Sequence, residues 1–496
     1  MTENLPALIV TVPLIAALLI SAAGWLNKRL CFPIAVVALG VSFYCSIGIL
    51  LGILKNKTTH YRMGDWAPPF GIEYRIDHLN ALVLVIISTV ALINLLSSKR
   101  KAESEFPDKI GAFYALYILF VSGLTGITIT GDAFNLYVLL EITALTGYAM
   151  IGLGREHAAL ASLNYVLMGT IGASFYLLGI GYLYLVTGSL NMVDLARILP
   201  DIYQSKAVLF AFVFCLIGLF IKMAFFPLHI WLPNAYSYSP SAASGLLAPL
   251  TTKVMIYIMI RITLTVFTPN FTLTIPAISS ALIWIAVIAI VMGSVLALAQ
   301  TSLLKTLSYI IVAEVGYMVG GFWLGNNLGI TGAILHIVND AAMTLCLFLV
   351  VSNILYVIKD DNFNDLKGII KKMPVSMAAF IVGAFSIIGV PPTCGFFSKW
   401  YLIRGGLEAG HYGFVAALIF SSLVNVILFF RIIEIGFFEP TRDTGNHHQN
   451  SSEISIKEAP ISMLLPLAVS TIILIALGIY TDEIVTQIIQ HTLPVG

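Results

Sequence analysis

The stretch Leu219-Phe220-Ile221-Lys222-Met223-Ala224-Phe225-Phe226-Pro227-Leu228-His229-Ile230-Trp231-Leu232-Pro233 decides the fold. It sets a lysine inside a long apolar run and then interrupts that run with two prolines. An apolar run of about 20 residues crosses the ~30 Å hydrocarbon layer of a bilayer. An ionised side chain at the centre of such a span costs at least ~2.5–3.5 kcal/mol on insertion scales, so Lys222 must face protein or water. Proline removes a backbone donor and frees a carbonyl, which is tolerated at membrane depth only beside protein or a wet cavity.

Outward from this stretch, apolar runs recur along all 496 residues, of which 59% are hydrophobic and 10% charged. Soluble domains carry roughly 25% charged residues, so most of this surface faces something other than water. The runs predict helices near 5–25, 31–54, 77–97, 110–130, 132–153, 161–187, 207–228, 241–266, 276–299, 303–324, 329–357, 374–403, 412–438 and 461–480. The expected fold is therefore all-α, a polytopic membrane protein of about fourteen transmembrane helices in a single membrane domain, 1–496. Within it, 1–109 holds helices 1–3, 110–266 helices 4–8, 276–438 helices 9–13, and 439–496 a loop and helix 14. Only the connections 55–76, 188–206 and 439–458 have room for further structure. The N-terminus runs apolar from Pro6 to Trp25 with no basic leader or cleavage site, so it reads as a spanning helix and not as a signal peptide.

A net charge of +1 gives no global field toward nucleic acid or an acidic partner. The five cysteines (Cys31, Cys45, Cys215, Cys346 and Cys394) form no CxxC pair and sit in or beside apolar runs, so neither a disulfide framework nor a metal site follows. Lys and Arg in the loops set orientation. With both termini outside, the inner loops carry Lys28, Arg29, Lys99, Arg100, Lys101, Lys109, Arg155, Lys305, Lys359, Lys367, Lys371, Lys372, Arg442 and Lys457. The outer loops carry Lys55, Lys57, Arg62, Arg75, Arg197, Lys206 and Arg404, and this bias predicts both ends on the outer side.

A second interruption, Gly389-Val390-Pro391-Pro392-Thr393-Cys394-Gly395, falls in the twelfth helix, five helices after the first. Blocks of five helices, an odd number, run inverted to one another. Matching interruptions in two inverted halves point to a transport site. The plainer alternative is two proline kinks.

Ionisable groups inside apolar runs carry the chemistry: Glu141, Lys222, Lys253, Glu314, His336, Asp340 and Lys399. Four such charges facing lipid would cost upward of ~10 kcal/mol, so they must meet one another or water. For each, a structural ion pair or a snorkelling side chain is the alternative to a transport role. Desolvation favours the neutral form of an ionisable group and a nearby opposite charge restores the ionised one. A lysine that alternates between a carboxylate and a wet cavity therefore takes up and releases a proton, and histidine already titrates near neutrality.

His336 and Asp340 are four residues apart and share a helix face, which suits either a relay or a local hydrogen bond. Glu314 precedes Val315-Gly316-Tyr317, where a neighbouring helix packs close. His229 in the seventh-helix break and Lys305 at the mouth of the tenth helix are accessory candidates, with snorkelling an equal reading for Lys305. Arg261 and Arg431 read as anchors, and Asp77 and Asp132 as helix caps. No phosphate loop, Walker lysine, haem-attachment motif, cluster-type cysteine spacing or hydrolase triad occurs, so no ATP-driven chemistry, cofactor or metal is expected.

These features resemble the antiporter-like subunits shared by respiratory complex I, membrane-bound hydrogenases and Mrp-type multisubunit Na+/H+ antiporters. The resemblance rests on Phe134-Asn135-Leu136-Tyr137-Val138-Leu139-Leu140-Glu141, on Lys222 through Tyr236, on Ser239-Pro240-Ser241-Ala242-Ala243-Ser244-Gly245 ahead of Lys253, on Leu304-Lys305-Thr306-Leu307-Ser308-Tyr309, and on Gly395-Phe396-Phe397 ahead of Lys399. It implies two inverted five-helix repeats with broken seventh and twelfth helices. It also implies that Glu141 modulates Lys222, that Lys222, Lys253 and His336 relay protons, and that Lys399 exchanges them at the end. Other membrane subunits, protons and Na+ are the implied partners, in a prokaryotic cell membrane. Gly64-Asp65-Trp66-Ala67-Pro68-Pro69-Phe70-Gly71-Ile72 looks most like the D subunit of Mrp antiporters, with a redox-driven pump subunit as the alternative. Two positions depart from many relatives: Thr344 stands near a usual lysine, and Glu314 replaces a small or amide residue.

Overall fold

The computed structural model describes residues 4–56, 58–154, 156–273, 275–438 and 456–493. Lys57, Arg155 and Arg442, used for orientation, and most of the 439–458 connection lie outside the described residues. The first hairpin pairs α1 (Leu5–Leu26) with α2 (Cys31–Asn56), and the second pairs α3 (His78–Glu105) with α4 (Ile110–Ile129). There follow α5 (Ala133–Gly152), α6 (Ala158–Thr187), short α7 (Met192–Ile198), α8 (Lys206–Lys222), α9 (Trp231–Tyr238) and α10 (Ser241–Arg261). Short α11 (Pro269–Thr272) leads to α12 (Pro276–Leu298), α13 (Leu303–Trp323) and α14 (Asn327–Val357). The chain closes with α15 (Ile369–Lys372), α16 (Pro374–Ile388), α17 (Cys394–Glu408), α18 (Tyr412–Phe438), α19 (Ile461–Ile479) and α20 (Thr481–Gln487).

Among the described residues, twelve helices are long and apolar enough to cross a membrane. The expected seventh and twelfth helices are not among them, because each is divided in two. Lys222 ends α8, and the chain turns through the cis Phe226-Pro227 bond before α9 begins. Ile388 ends α16, Gly389 adopts φ +92°, and the cis Pro391-Pro392 bond leads into α17. Proline cannot donate to a helix ladder, which is why both helices stop here.

The freed backbone groups find partners across each break. Trp231 Nε1, from α9, donates to the Ile221 carbonyl at 3.0 Å. Lys399, from α17, donates to the Ile387 carbonyl at 2.6 Å. Close passage of α17 past the end of α16 requires Gly395, since a Cβ there would lie 1.8 Å from the Ser386 carbonyl oxygen.

Burial sorts the helices into centre and periphery. The spans of α10 and α14 are wholly buried and that of α13 is 89% buried, whereas α2, α6 and α19 are 39%, 39% and 33% buried. Small residues draw helices together, as where a Cβ on Gly172 of α6 would meet the Gly218 carbonyl of α8 at 3.0 Å. The three central helices are those that carry Lys253, Glu314, His336 and Asp340.

Two connections hold structure that apolar periodicity did not reveal. Residues 55–76 contain an antiparallel hairpin of β1 (Thr59–Arg62) and β2 (Glu73–Ile76), with Thr59 opposite Ile76, so the chain is not purely helical. Four-residue strands are too short to show a period. The 188–206 connection contains α7. Asp77 and Asp132 cap α3 and α5 as expected, through bonds to the backbone amides of Leu79, Asn80 and Asn135.

Candidate functional site

Lys222, the last residue of α8, places its ammonium 3.1 Å from Glu141 Oε1 on α5. Lys253, midway along α10, lies 2.9 Å from Asp340 Oδ2 on α14. It also donates to the Ala248 carbonyl at 3.2 Å and to Thr344 Oγ1 at 3.4 Å, and Thr344 in turn donates to Asp340 Oδ1 at 2.8 Å. His336, one turn before Asp340 on α14, bonds Glu314 of α13 through Nε2 and Ser398 of α17 at 2.8 Å through Nδ1. Lys399 follows Ser398 and bonds the Ile387 carbonyl and Ser422 Oγ, with its ammonium 5.1 Å from the centre of the Tyr317 ring.

These groups form one row because neighbouring members share elements. A small cavity lined by Thr143, Tyr148, Tyr165, Lys222 and Thr251 lies between α5, α6, α8 and α10, so its wall reaches from Lys222 to the turn of α10 before Lys253. The hydroxyl of Tyr148 is buried there without a hydrogen-bond partner among the described residues. Buried polar groups of this kind are ordinarily satisfied by ordered water. Asp340 and His336 join the Lys253 pair to the His336 pair along α14. Ser398 and Tyr317, whose ring lies 5.4 Å from that of His336, join His336 to Lys399. None of the three lysines faces outward.

Charge balance distinguishes Lys399. With every member ionised, the row holds four cations (Lys222, Lys253, His336 and Lys399) and three carboxylates (Glu141, Glu314 and Asp340). Each of the first three cations is paired. Lys399 has no carboxylate in ion-pair contact among the described residues and is held by neutral oxygens and a ring.

The model of the family described as "NADH:quinone oxidoreductase/Mrp antiporter, TM" matches residues 130–425, which contain the whole row. The chain belongs to this family. The chain is 40% identical, over 100% of its own length and 99% of the relative's, to a protein named NADH-quinone oxidoreductase subunit N from Desulforudis audaxviator. It is 31% identical, over 88% of its length and 86% of the relative's, to a protein named antiporter subunit mnhD2 from Staphylococcus haemolyticus. Its fold matches a chain of the Mrp complex from Dietzia with a TM-score of 0.86 at 23% identity, covering 99% of both chains. This is an antiporter-like, proton-translocating, multi-pass membrane subunit of the Mrp/complex I family.

On this family fold, the accessory candidates divide. Glu314 and Asp340 are members of the row. His336 and Asp340 share a face but do not bond each other, since each turns to a different neighbouring helix. His229 is buried with its ring stacked on Phe226 at 5.1 Å, and it forms no ion pair with a carboxylate among the described residues. Lys305 is half-buried at the start of α13, its ammonium 5.3 Å from the centre of the Tyr238 ring. Arg261 anchors Asp77 through two bonds of 2.6 and 2.8 Å.

Reading the sequence missed Tyr148, Thr251, Tyr317, Ser398 and Ser422. Hydroxyl residues occur throughout membrane helices, so only their meeting in space marks these five.

Proposed function

We propose that this chain is the D-type, proton-relaying subunit of a multisubunit monovalent cation/proton antiporter, with Na+ as the exchanged cation. It works as two inverted five-helix repeats, 110–266 and 276–438, with both termini on the outer side of a prokaryotic cell membrane. The reading is carried by one observation: the pairs Glu141–Lys222, Lys253–Asp340 and Glu314–His336, together with Lys399, lie on helices that pack on one another between the first divided helix and the second. A proton entering from the Lys222 side is taken up by Lys222 as the neutral amine, and Glu141 holds the ammonium so formed. Lys222 passes it through the water-sized gap at Tyr148 and Thr251 to the neutral amine of Lys253, which pairs with Asp340 as the ammonium until it gives the proton to the neutral ring of His336. Gain or loss of one proton at Lys399 switches the net charge of the row between +1 and zero. The resemblance of Gly64–Ile72 to the D subunit and the relative named mnhD2 support the antiporter form.

The pH gradient of everted vesicles holding the native assembly tests this, with and without Lys399→Ala. Dissipation on adding Na+ that disappears in the variant supports the proposal, and activity unchanged in the variant sinks it. A second reading, a redox-driven proton pump, is favoured by the 40% identity to a protein named as a subunit of NADH-quinone oxidoreductase. It expects a gradient built on adding NADH or another redox substrate and no response to Na+.

A further inference from the structure

The end of the bundle where α1 turns into α2 and α3 turns into α4 holds a groove of about 490 Å3. Lys28, Arg29 and Phe32 line one side, and Lys99, Glu103 and Tyr114 the other. Three cations against one carboxylate leave the groove positively charged. Lys28 lies 3.5 Å from Asp108, a rim residue whose side chain is 95% exposed. Lys99 places its ammonium 4.8 Å from the centre of the Phe32 ring. Arg29 has no ion-pair partner among the described residues.

Tyr114 points to what the groove takes. The residue is 1% exposed, yet its hydroxyl has no hydrogen-bond partner among the described residues. A buried donor left unmade costs free energy, so the position is explained by an acceptor that comes from outside the chain. In a groove with excess positive charge, that acceptor is an anionic oxygen. The rim says what the anion is attached to. Trp25 is 94% exposed, Leu26 88% and Leu30 49%, where the first hairpin leaves the apolar layer. Tryptophan at a membrane–water boundary and basic pockets between helix ends both suit lipid headgroups.

We propose that this groove binds the phosphate of one anionic phospholipid. Arg29, Lys28 and Lys99 supply the charge and the Tyr114 hydroxyl donates to a phosphate oxygen. Trp25, Leu26 and Leu30 rest against the acyl chains. The site lies away from the proton row, so it fixes the first two hairpins in the bilayer and takes no part in transfer.

The test is native mass spectrometry of the intact assembly, delipidated and then titrated with phosphatidylglycerol, phosphatidylcholine or inorganic phosphate. Phosphatidylglycerol binds the wild-type in preference to phosphatidylcholine. Arg29→Gln with Lys99→Gln weakens it by about 25-fold, at about fivefold for each basic residue near a membrane surface. Tyr114→Phe weakens it by about two- to tenfold, the range of one lost hydrogen bond. Arg100→Gln, on the same end but outside the groove, leaves it unchanged and shows that the assembly survives a lost cation. Equal binding of phosphatidylcholine overturns the proposal. So does displacement of phosphatidylglycerol by equimolar phosphate, or a groove occupied by another polypeptide in a map of the assembly.

Discussion

Lys253 and Asp340 show how a residue change separates structure from transport. Removing one partner of a buried pair leaves an uncompensated charge, at ~3–5 kcal/mol, whereas replacing both with apolar groups is close to neutral. Asp340→Asn should therefore lower the melting temperature of the assembly sharply, and Lys253→Met with Asp340→Leu should restore it. The double variant should still lose transport on the order of 100-fold, the contribution of a positioned proton-transfer group. Restored transport in the double variant would mean that the pair is a fixed structural bridge. Glu314 belongs to the same argument. It provides His336 with a buried carboxylate, and Glu314→Gln should lower the melting temperature and slow proton flux measured in vesicles.

At the scale of elements, the broken helices place charged groups beside backbone that an intact helix would have sealed. Gly389 has φ +92°, and a Cβ there would lie 3.3 Å from Lys399 Cδ. Gly389→Ala should cost ~1–2 kcal/mol in backbone strain, seen as a lower melting temperature. It should also reduce transport by displacing the lysine, while Gly188→Ala, at a positive φ with open space around it, should affect stability alone. The link from α3 to α10 gives a pH test. Burial by itself would raise the Asp77 pKa, but the Arg261 guanidinium and the cap bond from Asn80 hold it at about 2. A carboxyl depressed on folding stabilises the protein above its unfolded value of 3.8, and that contribution is lost as pH falls toward about 2. Asp77→Asn should be less stable than wild-type at pH 5 and converge with it near pH 2, as read from thermal unfolding across that range.

For the whole molecule, the informative residue is Glu141. Its side chain is 24% exposed, on the face of α5 that also presents Phe134, Val138 and Leu145 at 44%, 39% and 60%. A carboxylate on such a face would meet lipid unless another subunit covers it. The chain alone in proteoliposomes should therefore transport little, and the full assembly should be active. A photo-crosslinker at Leu145 should capture a neighbouring subunit of the complex. Labelling by lipid-soluble reagent alone at that position would show that the face is bare.

Composition and apolar runs were enough to establish a helical membrane chain, because crossing a bilayer imposes a length and a polarity that leave a mark on every span. Lys222 and Lys399 were legible for the same reason, since a charge inside an apolar run has no cheap place to go. The two breaks were legible because proline acts on its own helix. The hairpin at 59–76 was not, because a short strand is stabilised by its partner and not by its own pattern. Nor was the pairing within the row. His336 and Asp340 share a face in any helix, but which of Glu314 and Lys253 each one meets depends on how α10, α13 and α14 cross. Periodicity fixes the direction of a side chain from its own axis, while partners are chosen by packing between axes. Only the tertiary structure could therefore turn isolated buried charges into an ordered row and leave Lys399 as its unpaired end.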